Sequence, residues 1–226
     1  FTQGNILSNS TDILNMADGS STTGTSALSF VDGPMTKEGT TAFIFPLGDG
    51  SRWARIGIGA ASPVVSNTFS AQYFGTPYGT YSVASTPLPV LNNVSKKEYW
   101  ILDRTVGAGS AAVTLYWEDA QWSAITNCST TDLRVAHWNG TAWDNPSDVV
   151  TTTGSCNAAP GEFGIITTSA DITTFSPFTF GSRTGINILP VELIGFNAGN
   201  LSANWTIDRD VGFAIRFRRH SPVFID

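Results

Sequence analysis

Helical periodicity is nearly absent from this chain, and glycine or proline interrupts it too often for long helices. What recurs is alternation. Val113, Leu115 and Trp117 line one side of AAVTLYWED, and Leu201, Ala203, Trp205 and Ile207 line one side of NLSANWTID. Phe213, Ile215 and Phe217 do the same in VGFAIRFRR. Each row is backed by Thr, Ser, Asn or Arg on the other side, as a half-buried strand requires. The pattern restricts the chain to an all-β fold. Hydrophobic residues are 41% of the 226, enough for a real core, while only 13% are charged. The polar surface must therefore come from Ser, Thr, Asn and Gly, as in many secreted β proteins. A net charge of −6 argues against nucleic acid, whose phosphates need clustered Lys and Arg. No apolar run approaches the roughly 18–20 residues that span a bilayer, so no membrane insertion is expected. The chain opens at Phe1 without a signal-like segment and reads as a processed or excised piece.

Three regions differ in texture. Residues 1–32 are Ser/Thr/Gly/Asn-rich with sparse aliphatics, like short strands or the rungs of a solenoid. Residues 33–182 carry most tryptophans and hairpin signals and read as a β-sandwich domain. After GSRTGINI, residues 187–226 hold a fresh set of three strand patterns.

The stretch TTAFIFPLGDGSRWARIGIG at 40–59 has the glycines and arginines of a phosphate loop. It lacks the GxxxxGK[ST] run and the helix that such a loop opens. With Asp49-Gly50 as a type I′ turn, Phe45 faces Ala54 and Phe43 faces Ile56. Arg52 and Arg55 then fall on opposite faces, so the segment is expected to be a hairpin. Gly107, Gly109 and Ala112 match G-x-G-x-x-A, but the residues that follow form a strand, which disqualifies a dinucleotide site.

The chemistry of catalysis is thinly represented. The two histidines, His137 and His220, cannot build a His-rich zinc site, and no G-x-S-x-G elbow occurs. Glu118 and Asp119 point to opposite faces of a strand, unlike a glycosidase pair. The Asp-Gly segments at 18–24 and 49–52 match no calcium loop and are explained by turn chemistry. No catalytic residue, metal or cofactor is expected. Cys128 and Cys156 lie in loop sequence, TNCSTTD and TGSCNAAPG. They predict a disulfide in preference to a metal site, with two free thiols as the alternative.

The best ligand-site candidate is aromatic. In RVAHWNGTAW, a two-residue Asn139-Gly140 turn pairs Trp138 with Thr141 and Ala136 with Trp143. Trp138 and Trp143 then share one face, and Leu133, Val135 and His137 the other. If the aliphatic face is core, two outward indoles form a platform for surface glycans. The competing reading has the indoles covering a loop or packing on a neighbouring domain.

Five stretches in order complete the reading: FVDGPMTKEGTTAFIFPLGDG, EYWILDRTVGAGSAAVTLYW, DLRVAHWNGTAWDN, ITTFSPFTFGS and LPVELIGF. Their succession, over roughly residues 29–197, resembles the repetitive, non-catalytic regions of large Bacteroidota surface proteins, many exported by type IX secretion. The resemblance implies an extracellular or cell-surface location and an adhesive or scaffolding role. It also implies a first region that caps a β-solenoid and, from LPVEL onward, the start of a fibronectin-III-like sandwich. It supplies no catalytic residues. Only three strand patterns of that last sandwich are present, so its apolar row (Trp205, Phe213, Ile215, Phe217) needs covering, with Arg216 and Arg218 on the opposite face. Cover is expected from the 33–182 domain, from further chain, or from a neighbouring copy donating a strand to form a filament.

Overall fold

The structure is a computed structural model and describes residues 3–62, 66–86, 90–156 and 158–187. Trp205, Phe213, Ile215, Arg216, Phe217 and Arg218, with the other fibronectin-like strand patterns, lie outside the described residues.

The chain is an all-β sandwich. One layer is an eight-stranded sheet: β14 (Trp143–Asp144), β13 (Leu133–Trp138), β17 (Phe178–Ser182), β11 (Tyr99–Val106), β9 (Thr68–Phe74), β4 (Met35–Glu38) and β2 (Leu14–Met16) in order, with β10 (Asn93–Val94) also paired to β17. The facing layer has five strands in the order β15 (Val150–Gly154), β16 (Gly164–Thr168), β12 (Val113–Trp117), β8 (Ile56–Ile58) and β5 (Phe43–Phe45). Alternate residues of each layer meet in one core: Phe69, Ala71 and Tyr73 from β9, Trp100 and Leu102 from β11, and the expected row Val113, Leu115 and Trp117 from β12.

A third sheet of short strands runs β1 (Ile6–Leu7), β3 (Val31–Asp32), β6 (Leu47–Asp49) and β7 (Arg52–Trp53). Pro46 is the corner between this sheet and the five-stranded layer. It has no N–H for the ladder, and its carbonyl accepts a hydrogen bond from Val31 N–H at 2.8 Å, so the hairpin changes partners there. The hairpin itself corrects the expected register. Asp49 pairs with Arg52, Phe45 with Ile56 and Phe43 with Ile58, making Gly50-Ser51 the turn. Gly50 adopts a φ of 61° and donates its N–H to Asp32 Oδ2 at 3.0 Å. A slip of two residues keeps every side chain on its face, so Phe43 and Phe45 stay in the core.

Residues 3–32 form a coil laid in parallel on the next one. Ile6 pairs with Val31, and Leu14, Asn15 and Met16 pair with Met35, Thr36 and Lys37. The N–H groups of Gly4, Ile6 and Ser8 bond the carbonyls of Leu28, Phe30 and Asp32 at 2.9–3.0 Å. Outside, Thr36 donates to Asn15 Oδ1 and Asn15 donates to Glu38 Oε1, a polar ladder along the same direction. One parallel ladder runs on from β3 to β6 and ends there, because β6 meets β7 in antiparallel fashion; the other ends at β4, which meets β9 in antiparallel fashion.

Two features fix the start of β13, and the first of them also ties the two layers. A disulfide joins Cys128, ahead of β13 in the eight-stranded sheet, to Cys156, just after β15 in the five-stranded sheet. Asp132, fully buried, gathers the chain after β17: its carboxylate accepts from Ser182 Oγ, Thr184 N and Oγ1, and Asn187 N and Nδ2. Burial alone would raise its pKa, but the bonds from Thr184, Ser182 and Asn187 outweigh it and hold the carboxyl below its usual value.

Candidate functional site

The Asn139-Gly140 hairpin has a four-residue loop, and this corrects the expected turn. Trp138 pairs with Trp143 and His137 with Asp144. The cause is the Asn139 side chain, whose Oδ1 accepts from Thr141 N, Thr141 Oγ1 and Ala142 N at 2.9–3.1 Å. Gly140 takes the positive φ, 97°, that this turn needs. The two indoles do share a face, 5.7 Å apart and edge to face, opposite Leu133 and Val135 in the core.

They do not form an outward platform. Trp143 is 1% exposed and Trp138 half-buried. The covering comes from the loop after β9. Trp143 N–H bonds Ser82 O and its carbonyl accepts from Ala84 N–H, while its indole N–H bonds Thr80 O at 2.8 Å. Tyr78 packs against Trp138, Trp143 and Tyr99, and Tyr99 stacks flat on Phe74 at 4.7 Å. With Ala136, Leu91 and Val94, the rings of Trp143, Trp138, Tyr78 and Tyr81 make a second, smaller hydrophobic cluster on the outer side of the eight-stranded sheet. The sequence reading missed Tyr78 and Tyr81. Their signal was two tyrosines in TPYGTY, a Gly/Pro loop with no need for aromatic rings of its own.

A shallow groove of about 420 Å³ lies between the hairpin and residues 174–177. His137, 4% exposed, lines it together with Trp138, Asn139 and Asp144. His137 Nδ1 lies 3.3 Å from Asp144 Oδ1, and Asn139 Nδ2 donates to the other Asp144 oxygen at 3.1 Å. His137 Nε2 is buried and has no hydrogen-bond partner.

The arginines of the 40–59 segment are committed to ion pairs. Arg55 grips Glu118 with two hydrogen bonds, 2.5 and 3.0 Å, inside a cage of Trp53, Tyr116 and Phe163. Arg52 sits 4.2 Å over Trp122 and 3.5 Å from Asp119, which caps the short helix α1 (Ala120–Ser123). Glu98 lies buried nearby, accepting from Tyr73 at 2.8 Å. Burial pushes the Glu98 carboxyl up to about 7, against hydrogen bonds from Ser123 and Tyr73 and the charge of Arg52. The native carboxyl thus keeps its proton up to about pH 7, whereas unfolded glutamate loses it near 4.5. The native state binds the extra proton in that window, so stability falls as pH rises from about 4.5 to 7 and then levels off. The loss is roughly 3 kcal/mol. Burial also raises the Glu118 carboxyl despite Arg55, which adds a slope of the same sign. Urea melts of the native protein from pH 4.5 to 8 should show this decline, and Glu98→Gln should flatten most of it. A wild-type stability that is constant or rising over that range would contradict the assignment.

Among the described residues no group of three or more His, Cys, Asp or Glu could hold a metal ion, and no helix is long and apolar enough to cross a membrane. Comparison with protein-family models, curated proteins and solved structures finds no match to the chain.

Proposed function

We propose that the chain is a non-catalytic structural or adhesive module of a bacterial cell surface, and that it assembles by strand addition. The observation that carries this reading is the coil of residues 3–32. It stacks in parallel on the coil that follows, and no strand among the described residues pairs with the outer edge of β1 or β2. The N–H groups of Gly4, Ile6 and Ser8 are used inward, so those of Asn5 and Leu7 face that outer edge. Leu7, within β1 itself, is 77% exposed. An open, apolar-flanked edge is a template for another strand. The Cys128–Cys156 bond supports an oxidising, extracellular setting. Strand completion at residues 187–226 belongs to the same proposal, and its strand patterns lie outside the described residues.

Sedimentation of the wild-type protein at rising concentration should show association, and Leu7→Lys should leave it monomeric with an unchanged circular dichroism spectrum. A wild type that stays monomeric at millimolar concentration, or a Leu7→Lys variant that associates equally well, would sink assembly through this edge. The second reading, glycan binding on the Trp138 and Trp143 pair, loses its platform to the loop that covers Trp143.

A further inference from the structure

The α1 turn packs over the start of β11, where the Glu98 side chain is buried. One Glu98 oxygen accepts from Tyr73 at 2.8 Å. The other, Oε1, is buried without a hydrogen-bond partner, with Ser123 of α1 beside it. A neutral carboxyl tolerates such a place. A carboxylate does not, because a buried charge is costly unless a cation pairs with it. The charged groups around Glu98 come from every element packed there. Arg52 of β7 is the cation that favours its ionised form, and Glu118, at the end of β12, opposes it. Asp49 of β6 is bound to Gly75 N–H at 3.2 Å, and Asp119 caps α1. Lys97, the preceding residue, lies 5.4 Å from the Trp122 ring centre, and the Tyr73 phenol, raised by burial, keeps its proton.

Arg52 is parked elsewhere. Its guanidinium lies 4.2 Å over the Trp122 ring and 3.5 Å from Asp119 Oδ2, with the side chain 29% exposed. Both contacts are weak for a partly solvated cation, so a buried carboxylate would compete well for it. The α1 turn is held lightly too. It is a single turn, too short to persist on its own, and Ala120 N–H reaches outside it to Ala158 O at 3.0 Å. Its C-cap, Ala124, takes a φ of 58°, a left-handed conformation that strains a residue other than glycine. We propose that α1 is a latch operated by Glu98, closed while Glu98 carries its proton and opened when Glu98 ionises and draws Arg52 away from Trp122 and Asp119. The proton goes to solvent. Burial places its loss at about pH 7. The closed form binds a proton that the open, hydrated form gives up, so rising pH favours opening. The latch is therefore shut in mildly acidic surroundings and released in alkaline ones.

Hydrogen exchange of the full chain from about pH 5 to about pH 9, corrected for the intrinsic pH dependence of exchange, tests it. Residues 119–126 should lose protection by about tenfold or more around a midpoint of about pH 7, while β11 and β12 stay protected. Glu98→Gln cannot ionise and should keep the segment protected at every pH. Arg52→Gln removes the cation that the carboxylate calls for and should move the midpoint to about pH 8 or above. Should Glu98→Gln fail to fold, the wild type and Arg52→Gln decide the matter between them. The latch is overturned if wild-type protection of 119–126 does not change with pH, or if Glu98→Gln shows the same transition. It is also overturned if β11 and β12 lose protection together with α1, since the proton would then act on the whole fold and not on one turn.

Discussion

Trp117→Ala is expected to lower the stability of the chain by about 3–5 kcal/mol, a large share of what a domain of this size holds. Trp117 is fully buried in the five-stranded layer and meets Phe180 of the opposite layer edge-on at 5.9 Å. Its indole N–H bonds Ser155 O at 2.9 Å. The cross-strand partner is Gly164, and the indole lies where a side chain there would be: a Cβ on Gly164 would come within 2.1 Å of Trp117 Cζ2. Truncation therefore removes dispersion contacts on both layers, opens a cavity and leaves Ser155 O without its donor. The same geometry predicts strong coupling. Gly164→Ala should be costly in the wild type, because the indole is rigid and boxed in, and nearly free once Trp117 is alanine. A double-mutant cycle by denaturant unfolding measures this. Simple additivity of the two costs would show that the two residues do not share this space.

The Trp117–Gly164 pair marks where sequence is informative and where it is silent. Alternation assigned Val113, Leu115 and Trp117 to one buried row, since period 2 is set by the pleat and needs no tertiary knowledge. The loop cysteines were legible for a similar reason, because composition speaks to redox setting. The outward indoles were not. Periodicity correctly grouped Trp138 with Trp143, but what covers Trp143 is Tyr78 and the Thr80–Ala84 backbone, some sixty residues upstream. Turn registers failed for two different reasons, one contact from elsewhere in the chain and one set within the loop itself. Gly50 is tied to Asp32, and Asn139 gathers three donors within its own loop, so the glycine signals were right about turns and wrong about which residues they contain. The glycines of GAGSAA serve packing. A Cβ on Gly107 or Gly109 would strike the side chain of Asn67, which is buried and bonds Gly109 N–H at 2.8 Å. The groove at His137 was half legible. The hairpin side chains that line it are adjacent in sequence, and the 174–177 wall was not foreseeable from spacing.

Removing the disulfide by Cys128→Ser with Cys156→Ser is expected to cost about 3–4 kcal/mol, with the effect residing mainly in the unfolded chain. The bond spans 28 positions, a loop that holds β13, β14 and β15. In the folded state those strands are placed by other means: β13 by five backbone pairings with β17, β15 by five with β16. Cys128 keeps a further anchor, since its carbonyl accepts from Thr152 Oγ1 at 2.9 Å. The native structure should therefore survive the substitution nearly unchanged, and the Trp143 cluster with it. What changes is the freedom of the unfolded loop, which connects the eight-stranded layer to the five-stranded layer and must close before the layers can pack. Two readouts separate this account from a local one. The denaturant dependence of unfolding should steepen, because a more expanded unfolded state exposes more surface. Refolding should slow more than unfolding accelerates if the two layers are already docked in the transition state. A double variant as stable as the wild type, or one whose near-ultraviolet tryptophan spectrum is lost while its secondary structure remains, would show that the bond does something other than restrict the unfolded chain.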